Sequence, residues 1–147
     1  MSSLERAIQI AVTAHAGQVD NGGAPYILHP LRVMFAIDVD GDEARIAAVL
    51  HDVLEDTDVT AADLAREGFS APVIEAVEAL TRRDGEAYGA FIKRVSRNPI
   101  ARIVKMADLQ DNADLSRIPN PTQKDHKRFW KYQRNIAVLA GLTKAAA

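Results

Sequence analysis

Between Glu43 and Asp56 the chain reads EARIAAVLHDVLED. Ala44, Ile46, Ala47, Ala48, Val49, Leu50, Val53 and Leu54 would leave a helix here apolar on nearly every side. Such a helix has no face to offer water and belongs at the centre of a fold. Yet its far end carries His51, Asp52, Glu55 and Asp56. A buried carboxylate without a partner is very costly, so these groups need company. A metal ion shared by His51 and Asp52 would supply it. So would a polar helix end at the surface, with His51 paired to a nearby acid. Spacing alone leaves both arrangements open.

The rest of the chain is punctuated as a string of helices. Leu4, Ile8, Ala11, Val12 and His15 line one face of a first helix over 3–16, which Gly17 stops. GQVDNGGAPYIL, residues 17–28, is a loop by its glycines, proline and Asn-Gly. A short helix follows His29-Pro30. Asp42 is placed to cap the central helix over 43–56. Thr60 with Asp63 resembles a capping box for a short helix ending at Gly68. Ser70 and Pro72 open a helix reaching Leu80, a polar turn covers 81–85, and another helix runs over 86–96. Asn98-Pro99 starts a long helix expected to reach Ser116. Asn120-Pro121, with Gln123 placed for a box, starts a last helix ending at Leu142, and the tail 144–147 is expected to fray. With no strand alternation and no internal repeat, the expectation is an all-α fold of about eight helices in a single domain over 1–147.

Composition narrows the function. Of 147 residues, 48 % are hydrophobic and 26 % charged, the profile of a chain that folds. The absence of cysteine excludes disulfides, zinc ribbons, iron–sulfur clusters and thiol catalysis. A net charge of −2 argues against a nucleic-acid partner, and no apolar run suits a membrane. The start, MSSLER, has no apolar signal core, so a cytoplasmic location is expected.

Two further residues bear on the His-Asp pair. Asp108 lies in a strongly apolar helix among Ile103, Val104, Met106, Ala107 and Leu109, with Asn112 one turn later on the same side. Asp111, between them, is expected to face water. His29 sits between Tyr26-Ile27-Leu28 and Pro30. Two imidazoles and two carboxylates, from His29, His51, Asp52 and Asp108, suit Mn²⁺, Fe²⁺ or Zn²⁺ better than Ca²⁺ or Mg²⁺. His15 reads as a satisfied core histidine, His126 as solvated, and Phe129 and Trp130 as packing residues.

The pair His51-Asp52, with a histidine upstream and an aspartate downstream, resembles the HD superfamily of metal-dependent phosphohydrolases. AHAGQ at 14–18, PYILHPL at 25–31, AAVLHDVLEDT at 47–57 and VKMAD at 104–108 resemble, in order and spacing, the hydrolase domain of the RelA/SpoT alarmone enzymes. The resemblance implies an HD-domain helical bundle and a Mn²⁺-dependent (p)ppGpp 3′-pyrophosphohydrolase. It implies His29, His51, Asp52 and Asp108 as metal ligands, Glu55 and Asp56 as the acidic pair handling the attacking water, and Asn112 and Tyr132 beside the nucleotide. Lys105, Arg82 and Arg83 could neutralise phosphate charge, at least one of them being plain solvated surface. The chain has no room for a synthetase domain, so a stand-alone small hydrolase is expected. Where long alarmone hydrolases carry a basic pair against the purine, this chain has Val19-Asp20, and Asp20 is expected to weaken discrimination between guanine and adenine. Alternatives are an adenosine alarmone, a nucleotide or dinucleotide phosphatase, or a non-catalytic nucleotide sensor. The expected partner is a nucleotide; a homo-oligomer is neither required nor excluded.

Overall fold

The computed structural model describes residues 1–141, and among these it is all-helical. The helices are α1 (Leu4–Ala14), α2 (Leu28–Phe35), α3 (Glu43–Leu50), α4 (Val53–Asp56), α5 (Ala61–Arg66), α6 (Ala71–Ala79), α7 (Tyr88–Ser96), α8 (Pro99–Asn112) and α9 (Gln123–Leu139), with a 3₁₀ turn at Leu115–Arg117. The only bridge among the described residues is an isolated one, Val19 to Pro25. Among the described residues no helix is long and apolar enough to cross a membrane.

α3 is the axis. Ile46 through Leu50 are all buried, and α1, α2, α6 and α8 pack around them. Local chemistry sets most boundaries. Ser3, Ser70 and Asn98 accept hydrogen bonds from the backbone N–H groups of Arg6, Val73 and Ala101. Thr60 and Asp63 close the expected capping box. Gly17 and Gly68, at φ 84° and 88°, follow α1 and α5, where a Cβ would be strained.

Several expected boundaries move. The central helix is not continuous to Asp56: it breaks at His51-Asp52 into α3 and α4. In an unbroken helix the Ala48 carbonyl would accept from Asp52 N–H. Here it accepts from the His51 backbone N–H at 3.4 Å and from the His51 ring at 2.6 Å. Asp42 makes no side-chain cap. α7 starts at Tyr88 because Glu86 turns its carboxylate onto Arg94. α8 stops at Asn112, beyond which Asp114 accepts from Ser116 N–H and tightens the chain into the 3₁₀ turn. Thr122 and Asp125, not Asn120 and Gln123, form the box that opens α9. The expected end at Leu142 and the tail 144–147 lie outside the described residues.

Trp130 is not a core residue: it is 61 % exposed and meets the Phe129 ring edge-on. Tyr132, Ile136 and Leu139 form the core stripe of α9, and two residues from Tyr132 is the far side of a helix. His126 is exposed, as expected.

Leu50 is fully buried immediately before the break that presents His51. Leu50→Ala is expected to destabilise the fold by about 2–5 kcal/mol in denaturant unfolding. Phe35→Ala, at a side chain that is 81 % exposed, should change it by less than about 0.5 kcal/mol.

Candidate functional site

Three segments deliver four side chains to one point. The break after α3 presents His51 and Asp52, the start of α2 presents His29, and the middle of α8 presents Asp108. His29, His51 and Asp108 are 4 %, 2 % and 3 % exposed, so this is an interior site. His29 Nε2 is 2.9 Å from Asp108 Oδ1 and 3.9 Å from Asp52 Oδ2. His51 Nε2 is 3.0 Å from Asp52 Oδ2 and 3.4 Å from Asp108 Oδ1.

The ring protons are fixed by what the other nitrogens touch. His51 Nδ1 lies 2.6 Å from the Ala48 carbonyl, which can only accept, so Nδ1 carries the proton. His29 Nδ1 donates in the same way to Asp111 Oδ2 at 2.6 Å. When the rings are neutral, both Nε2 atoms therefore aim lone pairs at carboxylate oxygens. His51 Nε2 is buried and has no hydrogen-bond partner despite its two close oxygens. A cation at the centre resolves this confrontation. Atoms about 2.1 Å from a common ion and about 90° apart are about 3 Å from each other, which matches the contacts of 2.9, 3.0 and 3.4 Å, while His29 to Asp52 is longer at 3.9 Å. Ligand atoms of His29, His51 and Asp108 all lie within 4.8 Å of one another, and Asp52 links them to Glu55 and Asp56. Two imidazoles and two carboxylates fit a divalent transition-metal ion.

Without an ion the same carboxylates draw a proton instead. Burial disfavours a charged His51 ring, but Asp52 and Asp108 overcome it and hold the ring well above the ordinary histidine range, so a bound metal ion would take the place of that proton. Burial likewise opposes ionisation of Asp52, yet the His51 ring beside it and the Tyr26 hydroxyl keep its carboxyl at about 2. Asp108 is held well below the usual carboxylate range against burial by Lys105 and the two histidines.

A second set of groups props the first. Asp108 is flanked on α8 by Lys105, whose Nζ is 2.8 Å from Oδ2, and by Asn112, whose amide donates to Oδ1 at 3.0 Å. Tyr26 donates its hydroxyl to Asp52. Asp111 does not face water as expected. It grips His29 and is itself held by Arg32 at 2.8 Å and 3.1 Å and by Arg117 at 3.3 Å. Sequence reasoning gave Tyr26 and Arg32 no role at the centre and placed Asp111 in water. The available signal was spacing: Arg32 follows His29, and Asp111 follows Asp108, by the three residues that put side chains on one helix face.

Glu55 and Asp56 stand at the mouth, their carboxylates within 4.8 Å of Asp52's. The helix break removes the simple alignment of Glu55 with His51. Glu55 instead accepts from the Arg82 backbone N–H at 3.0 Å. Burial, then Asp52 and Glu55, push the Asp56 carboxyl above its ordinary value. Gln18 ties the 15–27 loop over this edge by donating to the Asp56 carbonyl at 3.0 Å. His15 is buried as expected but only half satisfied: Nδ1 meets Gln18 Oε1 at 2.9 Å, while Nε2 has no partner.

A cleft opens beside the centre, walled by Asp20, Tyr26, Arg32, Asp111, Asn112 and Arg117. Asp20 uses Oδ1 to hold the loop's own turn, accepting from Gly22 and Ala24 N–H, both at 2.9 Å. On the other side of Asp108, Tyr132 is half-buried and close enough to feel the charges of Asp108 and Lys105. Arg82 and Arg83 are exposed, and Arg82 donates to the Glu86 carbonyl.

Known proteins share this architecture. The chain is 34 % identical over 119 residues to the guanosine-3′,5′-bis(diphosphate) 3′-pyrophosphohydrolase of Aquifex aeolicus, covering 74 % of this chain and 17 % of that protein. It is 38 % identical over 138 residues to the protein of the same name in Borreliella burgdorferi, covering 82 % of this chain and 20 % of the relative. A probable GTP pyrophosphokinase of Mycobacterium leprae is 32 % identical over 97 % of this chain and 19 % of its own length. The chain thus spans no more than a fifth of these relatives. A solved structure of a metazoan ortholog of SpoT that hydrolyzes ppGpp superposes with a TM-score of 0.78 at 22 % identity, over 98 % of this chain and 87 % of that one, which shows a common fold. Residues 7–119 match the HD domain model, and the chain belongs to the HD domain family.

Proposed function

We propose that this chain is a metal-dependent phosphohydrolase that cleaves the 3′-diphosphate from (p)ppGpp-type alarmones, giving GDP or GTP and pyrophosphate. The observation that carries the metal half of this reading is the buried, unpartnered His51 Nε2 set between Asp52 and Asp108. The relatives named as guanosine-3′,5′-bis(diphosphate) 3′-pyrophosphohydrolases support the substrate half. His29, His51, Asp52 and Asp108 would hold the ion, for which Mn²⁺ is the first choice among divalent transition metals. When bound, such an ion polarises a phosphoryl oxygen and acidifies water.

The chain's own groups supply the rest. Asp56 lies at the mouth with a raised carboxyl pKa, which suits a group that takes a proton from water. Glu55, anchored by the Arg82 backbone, holds a second negative oxygen beside it and keeps the attacking water oriented. Lys105 offsets the charge of Asp108 and of an incoming phosphate. Asn112 and Tyr132 flank Asp108 and would contact the nucleotide. Asp20 retains one free carboxylate oxygen on the cleft wall. It can accept from an amino group, which adenine and guanine both offer, so modest base discrimination is expected.

A nucleotide panel with Mn²⁺, scored for pyrophosphate against orthophosphate, tests the reading. ppGpp should release pyrophosphate; orthophosphate alone, or no product from any alarmone, would overturn it. Asp111→Ala removes the group that orients His29. It should weaken Mn²⁺ binding about 10–100-fold in a calorimetric titration, the usual scale for a lost partner of a ligating histidine. Glu55→Gln and Asp56→Asn keep size and remove the base. In steady-state assays each should lower kcat roughly 10²-fold while Mn²⁺ still binds, and wild-type turnover in both would make the pair structural.

A further inference from the structure

The cations around the centre fall into two groups that differ in how they are neutralised. Arg32 and Arg117, on the cleft side, both sit on Asp111, and Arg117 also sits on Asp114. On the side of α7 and α9, two cations sit over the ring of Tyr88 and two more lie near them. Lys131 Nζ is 3.9 Å from the ring centroid and Arg82 Cζ is 5.4 Å away. Lys105 Nζ is 5.2 Å from the ring of Phe91, which meets Tyr88 edge-on at 5.8 Å. Arg134 is near enough to bear on the charge of Lys131.

Only Lys105 in this group has a carboxylate partner among the described residues, and that partner is Asp108. The side-chain bond of Arg82 goes to a carbonyl, which leaves its charge uncompensated. Burial, then Arg82, Lys105 and Arg134, depress the Lys131 ammonium below the ordinary lysine value. The fold thus holds like charges together on an aromatic platform, and such a concentration attracts an anion. Lys105 joins this cluster to the centre, since the other oxygen of Asp108 faces both His29 Nε2 and His51 Nε2.

We propose that this cluster binds the phosphate chain of the substrate, with Lys131, seated on Tyr88, as a specificity-determining contact for a diphosphate. The assignment rests on the phosphohydrolase reading and gives it a direction. Phosphate lies toward α7 and α9, and the nucleoside lies in the cleft, where the arginines are already neutralised.

The test uses inorganic pyrophosphate titrated calorimetrically into the Mn²⁺-saturated protein, with the same Mn²⁺ in cell and syringe, and KM for ppGpp measured alongside. Lys131→Gln should weaken pyrophosphate binding about tenfold or more, the scale of one charged hydrogen bond. It should raise KM for ppGpp to a similar degree with kcat within about twofold. Lys131→Arg should restore most of both. Arg45→Gln, at the opposite end of α3, should change neither. Unchanged pyrophosphate affinity in Lys131→Gln would overturn the proposal, as would weakened pyrophosphate binding with an unchanged KM, which would make the cluster a site for free anions. A wild-type protein that binds pyrophosphate through Lys131 but hydrolyses no alarmone would uphold the phosphate site and overturn the hydrolase reading instead.

Discussion

The site depends on one hydrogen bond, from the His51 ring to the carbonyl of Ala48. It takes over an acceptor that a continuous helix would give to Asp52, and the helix breaks there. It fixes the proton on Nδ1. It also aims the opposite nitrogen at Asp52 and Asp108 in the interior. The bond can do this because the second half of α3, Ile46 through Leu50, is buried on every side, so the break is delivered to a fixed place beside α2 and α8. A surface helix with the same residues would fray and let the ring turn into water.

Around this centre the charges are arranged in layers. The acids nearest the middle are each held by a donor: Asp52 by Tyr26, and Asp108 by Lys105 and Asn112. Asp111 stands behind His29 and is clamped by two arginines that also wall the cleft. Its carboxyl stays at about 2, because the hydrogen bonds from His29 and Arg32 outweigh burial. The same carboxylate therefore orients a candidate ligand and neutralises cations in the cleft. Their charge is unavailable for phosphate there, while near Tyr88 only Lys105 is paired with an acid among the described residues.

Much of this was legible in the sequence, and the reasons are physical. An all-round apolar helix ending in His-Asp has few ways to be satisfied, so His29, His51, Asp52 and Asp108 could be singled out together, and the structure brings them to one point. Caps such as Thr60 with Asp63 and Asn98 with Pro99 act within one turn, which a local reading captures. The break at His51 was not legible, because it arises from a side-chain bond that competes with the backbone only when the ring is locked by tertiary packing. Asp111 was misread for a similar reason. Its position on α8 alone suggests solvent, and only the approach of α2, with His29 and Arg32, gives it partners. Trp130 was misread because hydrophobicity was weighed ahead of its register with Tyr132 and Ile136.

The central claim is that four side chains from three segments hold one divalent ion. Anomalous diffraction from crystals grown with Mn²⁺ tests it most directly. The account predicts a single strong peak about 2.0–2.2 Å from His29 Nε2, His51 Nε2, Asp52 Oδ2 and Asp108 Oδ1. It also predicts that His51 Nδ1 stays on the Ala48 carbonyl. No peak at that point, or a peak held by Asp52, Glu55 and Asp56 without the histidines, would contradict it.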